Sequence, residues 1–122
     1  MKSILLVDDE QQAIDVFKAA LVEGGDEVVV AKDGKTALMM IKQQPFDLVV
    51  LDEMMPDMSG NDVIKALKAD EQTKNIPIII LTNYNDDELV KTALSGGAND
   101  YVLKYKMVPE GLAEKVRSLI GE

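Results

Sequence analysis

The chain has 122 residues, 47% hydrophobic and 29% charged, which fits one folded domain with a core of its own rather than a disordered segment. It contains neither cysteine nor histidine, so disulfides, thiol redox chemistry, zinc centres and every Cys- or His-based nucleophile are excluded. Its 13 basic residues against 22 acidic ones leave a net charge of −9, with Arg117 the only arginine, so direct nucleic-acid binding is not expected.

Short apolar runs of strand length alternate with helical periodicities along the whole chain. The first run, Ile4 to Val7, leads into a helix whose apolar face carries Ile14, Phe17 and Leu21, with Ala13, Val16 and Ala20 beside them. Gly24-Gly25 stops that helix, and Val28 to Ala31 forms the second strand. Ala37, Leu38 and Ile41 mark a second helix ended by Gln44-Pro45, and the third strand is predicted over Phe46 to Leu51. Val63, Ile64 and Leu67 mark a third helix, and Pro77 opens a fourth strand, Ile78 to Leu81. Leu89, Val90, Ala93 and Leu94 give a fourth helix stopped by Gly96-Gly97, followed by a strand at Tyr101 to Leu103. Leu112, Val116, Leu119 and Ile120 form the last helix, opened by Pro109. Unalternating apolar strands with helices between them read as an open, doubly wound α/β domain with a parallel sheet covered on both faces. The expectation is a single domain over residues 1–122 with no output domain. No apolar run approaches the roughly 20 residues needed to cross a bilayer, and no signal-peptide pattern opens the chain. The expected setting is therefore cytoplasmic, without membrane contact.

In open α/β sheets ligands bind beyond the carboxyl ends of the strands, so the residues that leave each strand are the ones to examine. Asp8, Asp9 and Glu10 follow the first strand, Asp52 the third, Thr82 the fourth and Lys104 the fifth. The second strand delivers only Lys32-Asp33-Gly34, an ordinary helix start. Singly these residues have plain readings, Asp9 as a helix N-cap among them. Together they bring carboxylates, a hydroxyl and an ammonium to one rim. Clustered carboxylates repel unless a cation joins them, and oxygen-only ligands suit Mg²⁺. A carboxylate there can attack phosphorus and become an aspartyl phosphate.

The segments Leu5-Leu6-Val7-Asp8-Asp9-Glu10, Asp47 to Asp52 with Met55-Pro56-Asp57-Met58-Ser59-Gly60, Pro77 to Thr82, and Gly97 to Lys104 resemble the CheY-like receiver domain of two-component response regulators. The resemblance covers essentially the whole chain, with gaps of 43, 30 and 22 residues from 9 to 52, 52 to 82 and 82 to 104. It implies a flavodoxin-like sheet of five parallel strands in the order 2-1-3-4-5, flanked by five helices. It further implies that Asp52 is the phosphoacceptor and that Asp8, Asp9, Asp52 and the backbone carbonyl of Met54 hold Mg²⁺, with Mn²⁺ as a substitute. Thr82 and Lys104, with Asn83 beside them, would bind the phosphoryl group, and Tyr101 would be the switch aromatic; read without the family, Tyr101 is as well explained as an amphipathic rim residue. The implied donor is a phosphohistidine of a sensor histidine kinase or phosphotransfer protein. Phosphorylation would reshape the face of helix four, strand five and helix five for a downstream protein target, or for a phosphorylation-linked homodimer. The protein would be a self-modifying switch rather than an enzyme.

Three departures from the family pattern stand out. Asn83 replaces a small residue and is expected to crowd the phosphoryl site. Tyr105 replaces a proline in a cis bond, so a trans loop that moves Lys104 is expected. Glu53 adds a further acid beside the acceptor. Met54 and Tyr84 occupy the positions that tune phosphoryl lifetime, and neither orients an attacking water, which implies slow self-dephosphorylation. The alternative reading is a phosphorylation-independent pseudo-receiver that acts as a protein-binding module. Gly34-Lys35-Thr36 mimics the end of a phosphate-cradling loop, but the earlier glycine that loop requires falls at Val29. A phosphatase would want Asp-x-Asp where Asp8 and Asp9 are adjacent. Clustered methionines can mark an adaptable binding surface, but Met39 and Met40 are read as straddling a helix face and Met54, Met55 and Met58 as packing a loop.

Overall fold

The computed structural model describes residues 1–121. The elements run in strict alternation: β1 (Ser3–Val7), α1 (Gln11–Glu23), β2 (Glu27–Ala31), α2 (Gly34–Gln43), β3 (Leu48–Leu51), α3 (Gly60–Lys68), β4 (Ile78–Thr82), α4 (Asp87–Gly96), β5 (Asp100–Leu103), a 3₁₀ turn (Lys104–Lys106) and α5 (Pro109–Ile120). All strand pairings are parallel, in the order β2-β1-β3-β4-β5. This is the doubly wound fold expected above. Among the described residues, no helix is long and apolar enough to cross a membrane.

Side chains alternate across a strand, and here the alternation sorts the core into two layers. Ile4 and Leu6 of β1, with Leu48, Val50, Ile79, Leu81 and Val102, pack on α1 and α5 through Ile14, Phe17, Leu21, Leu112 and Val116. Leu5, Val7, Val49, Leu51, Ile78 and Ile80 pack the other way, against Ala37, Ile41, Val63, Ile64, Leu67 and Ala93 of α2 to α4. The central strands are therefore buried on both faces, which is why they read as continuous apolar runs.

Some boundaries differ from the expected ones. Phe46 and Asp47 precede β3, although Phe46 is buried, because the residue pairing with β1 begins at Leu48, the Asp47 amide leading into it with a bond to the Ser3 carbonyl at 2.7 Å. Val16, Leu94 and Leu119 are half exposed rather than part of their helices' buried faces, since each sits at the edge of a stripe that α1, α4 or α5 turns toward the sheet. Asp9 does not cap α1: the N-cap is Glu10, with no side-chain cap bond. The glycine and proline signals fall where expected, with Gly97 ending α4 at a φ of 117° and Pro109 opening α5.

A candidate cation and phosphoryl site at the strand ends

The sheet register brings the acids together. Val7 pairs with Leu51 and the Asp52 amide donates to the Val7 carbonyl at 2.9 Å, so Asp8 and Asp52 leave neighbouring strands at the same level. Strand parity, carried one residue past each end, sends Asp8, Asp52 and Lys104 toward the α1/α5 side. Thr82 and Tyr101 fall on the α2–α4 side, and Glu53, two residues past β3, reaches that side through its bonds to Asn61 of α3. Asp8, Asp9 and Asp52 each offer an oxygen within 4.8 Å of the others. Asp8 and Asp52 are buried, while Asp9 is exposed.

Lys104 links this cluster. Its Nζ lies 2.8 Å from Asp8 Oδ2, 3.2 Å from Glu10 Oε1 and 3.3 Å from Asp52 Oδ2, with its side chain only 8% exposed. Among the described residues every peptide bond is trans, including the bond between Lys104 and Tyr105. The trans loop expected at Tyr105 is thus present, and the 3₁₀ turn that begins at Lys104 leaves its ammonium on the acids. Asp8 Oδ1 accepts from the Glu10 amide at 2.9 Å.

Burial pushes the Asp8 carboxyl above its ordinary range, and Asp52 adds to the rise, against the opposing pull of Lys104 and the Glu10 amide. Burial by itself would lower the Lys104 ammonium, yet Asp8, Asp52 and Glu10 together hold it above its usual value. Two upward directions across one ion pair look contradictory. They coexist because the lysine faces three acids, whereas Asp8 shares its single cation with the others. One positive charge among four carboxylates is the electrostatic state that a divalent cation relieves.

The donor set fits such an ion. It contains only oxygen, as hard Mg²⁺ prefers. Among the described residues no donor reaches the buried Asp52 Oδ1, an acceptor that costs free energy until something binds it. Asp9, Glu10, Asp52, Met54, Asn83, Tyr84 and Lys104 line an open cleft of about 280 Å³ over this cluster. A larger cleft of about 570 Å³, lined by Ile41 to Phe46 and parts of Asp70 to Ile76, lies at the opposite end of the sheet. It carries none of the candidate residues, so convergence of charge decides the assignment rather than size.

The remaining candidates surround this cleft. Thr82 is fully buried at the end of β4, and its Oγ1 lies 3.5 Å from the Tyr84 amide. Asn83 is exposed on the rim. Met54 and Tyr84 are each about half exposed there. Tyr101 rests its ring on the α2–α4 core layer and donates from its hydroxyl to the Tyr84 carbonyl at 2.8 Å. Burial chiefly, then the negative charges of Glu53, Asp52 and Asp86, push its phenol up to about 12 from an ordinary 10.0. The unfolded chain releases this proton first as pH rises, so the folded state loses stability between those two values. An absorbance titration of folded protein is expected to contain a step near pH 12 that Tyr101→Phe removes.

Some structurally important groups stand in the motifs quoted above, but their partners carry no signal in the sequence read alone. Glu10 stands in the run of consecutive acids, yet its ion pair with Lys104 spans most of the chain. Asp57 accepts from the Gly34 and Lys35 amides at 2.9 Å each, which fastens the β3–α3 connection to the start of α2. Those two donors hold the Asp57 carboxyl below its usual range. Gly60 lies so close to the acceptor strand that a Cβ there would stand 2.7 Å from the Asp52 carbonyl oxygen. Met55 and Met58 pack against the core while Met39 is exposed, in keeping with a packing role for the first two.

Comparison with known proteins agrees with this architecture. A family model described as the response regulator receiver domain matches residues 4–117. Chemotaxis protein CheY-3 of Vibrio cholerae is 38% identical over 102 residues, 83% of this chain and 78% of that protein. The transcriptional regulatory protein AfsQ1 of Streptomyces coelicolor is 36% identical over 104 residues, 85% of this chain. The match spans only 45% of the length of AfsQ1, and 49% of that of the DNA-binding response regulator MtrA of Mycolicibacterium smegmatis. Among solved structures, chemotaxis response regulator CheY4 of Vibrio cholerae superposes with a TM-score of 0.89 at 30% identity, covering 98% of each chain. A CheY-like receiver domain protein from Methanospirillum hungatei gives 0.89 at 31% identity, covering 98% of this chain and 94% of that one. With the family match running over nearly the whole sheet and all five helices, the chain belongs to the response regulator receiver domain family.

Proposed function

We propose that the protein is a phosphoacceptor switch in which Asp52 takes a phosphoryl group from a phosphohistidine of a sensor histidine kinase or phosphotransfer protein. The observation that carries this reading is the convergence of Asp8, Asp9 and Asp52 within 4.8 Å, with Lys104 bridging to the acceptor. In this reading Asp8, Asp9, Asp52 and the Met54 carbonyl hold Mg²⁺, or Mn²⁺ in its place. When bound, the ion neutralises charge on the equatorial phosphoryl oxygens. Lys104 holds Asp52 Oδ2 at 3.3 Å, and the Asp52 carboxylate supplies the oxygen that attacks phosphorus. As the new P–O bond forms, the P–N bond of the donor breaks and its electron pair returns to the imidazole. Lys104 then pairs with the transferred group, the Thr82 hydroxyl donates to it, and Tyr101 reports the change to the face of α4, β5 and α5. The chain acts on itself and turns over no separate substrate.

The setting proposed is cytoplasmic, with a downstream protein as target and no direct nucleic-acid contact, in keeping with the net charge of −9. Incubation with acetyl phosphate and Mg²⁺, followed by intact mass spectrometry, is expected to add one phosphoryl mass that EDTA prevents. No gain under any divalent cation would favour the pseudo-receiver reading instead. The apolar Met54 and the phenol of Tyr84, both on the cleft rim, cannot activate water as a carboxylate or amide does. The phosphorylated protein is therefore expected to outlive its Met54→Asn variant in a decay assay.

A further inference from the structure

We propose that Glu53 is a positioning residue for the cation site, acting through Asn61; this rests on the metal-binding reading just given. Glu53 follows the acceptor and turns toward the apolar α2–α4 layer, where it is fully buried. A carboxylate there is costly, and burial duly raises its proton affinity. A leucine would suit the surroundings better, so the acid needs a reason beyond packing.

Its contacts supply one. Glu53 Oε2 accepts from the Asn61 amide at 3.0 Å, Oε1 accepts from Asn61 Nδ2 at 2.6 Å, and its own carbonyl accepts from the Gly60 amide at 2.7 Å. Met54 forms an antiparallel bridge with Ser59 in the same segment. The connection from Asp52 to Asn61 is thereby closed at its base, the Glu53 carboxylate fastening the strand exit to the first turn of α3. That segment carries both the Asp52 carboxylate and the Met54 carbonyl. Residues that orient metal ligands in this way are commonly worth one to two orders of magnitude in metal affinity.

The test is Mg²⁺ titration calorimetry on the parent protein, Glu53→Leu, Glu53→Gln and Asn61→Ala, with melting curves in metal-free buffer. Glu53→Leu is expected to melt no lower than the parent, yet to bind Mg²⁺ about tenfold more weakly. Glu53→Gln should stay within about threefold of the parent, because rotation of the Asn61 amide lets glutamine make both contacts without the charge. Asn61→Ala keeps the Glu53 charge and cuts the side-chain tie, and it should lose affinity several-fold; this surface change reports on the tie even if Glu53→Leu does not fold. Parental affinity in Asn61→Ala, or equal loss in Glu53→Gln and Glu53→Leu, would overturn the positioning role and leave a charge effect. If the parent itself takes up no Mg²⁺, the metal-binding reading fails first, which separates the two failures.

Discussion

Asp52→Ala is expected to melt at a higher temperature than the parent protein while losing all phosphoryl uptake. The loss of uptake follows from the removal of the attacking oxygen. The gain in stability follows from what Asp52 costs. Its Oδ1 is buried without a donor among the described residues, and its charge lies against that of Asp8. An unsatisfied buried acceptor costs about 1–3 kcal/mol. Lys104 would not be stranded by the change, because it keeps Asp8 at 2.8 Å and Glu10 at 3.2 Å. The net gain should therefore be roughly 1–3 kcal/mol, or several degrees in a domain of this size. Calorimetry beside intact mass spectrometry checks both halves. A lower melting temperature would mean that the Lys104 contact, rather than the strain of crowded acids, dominates at this position.

Lys104→Met should act in the opposite direction. Asp8 and Asp52, with side chains 3% and 7% exposed, would lose the one cation that the described residues supply to them. Removing a single partner from a buried ionic group typically costs about 3–5 kcal/mol. The cleft is open to water on the Glu10 side, which argues for the lower end, about 3 kcal/mol. A bound divalent cation stabilises the folded state by about 2.7 kcal/mol at a hundred times its dissociation constant. The melting temperature of Lys104→Met is accordingly expected to rise more steeply with Mg²⁺ than that of the parent, since the ion then meets no competing ammonium. Chemical denaturation in EDTA and in excess MgCl₂ provides the check. A variant that melts with the same Mg²⁺ dependence as the parent would show that the lysine and the ion do not share the same carboxylates.

The fold was legible because its central strands are buried on both faces. Runs such as Ile78 to Leu81 leave no polar residue to confuse the period, and the glycine and proline stops lie between them. Phe46 misled because burial and backbone pairing are different properties, and an apolar residue just before a strand shows only the first. Val16, Leu94 and Leu119 misled because helical spacing states which residues share a face, not how wide a stripe the sheet covers. The acids at the ends of β1 and β3 were legible for a topological reason: parallel strands direct all their carboxyl ends to one rim. Glu53 was not, because its meaning depends on Asn61, eight residues later and on another element. Nothing in the neighbouring residues foretells that a carboxylate will turn inward and find an amide. The trans bond after Lys104 was legible from Tyr105, but the 3₁₀ turn that sets the lysine over the acids was not, since it depends on how the chain after β5 folds back.

Consecutive residues of a pleated strand look in opposite directions, and at the end of β3 this places Asp52 and Glu53 on different sides of the molecule. Under the proposed function, a phosphoryl group on the first would be separated by one peptide unit from the compartment that houses Tyr101, Thr82 and the flank of α4. A message written on one side of the sheet would then have a very short distance to travel before it could be read on the other.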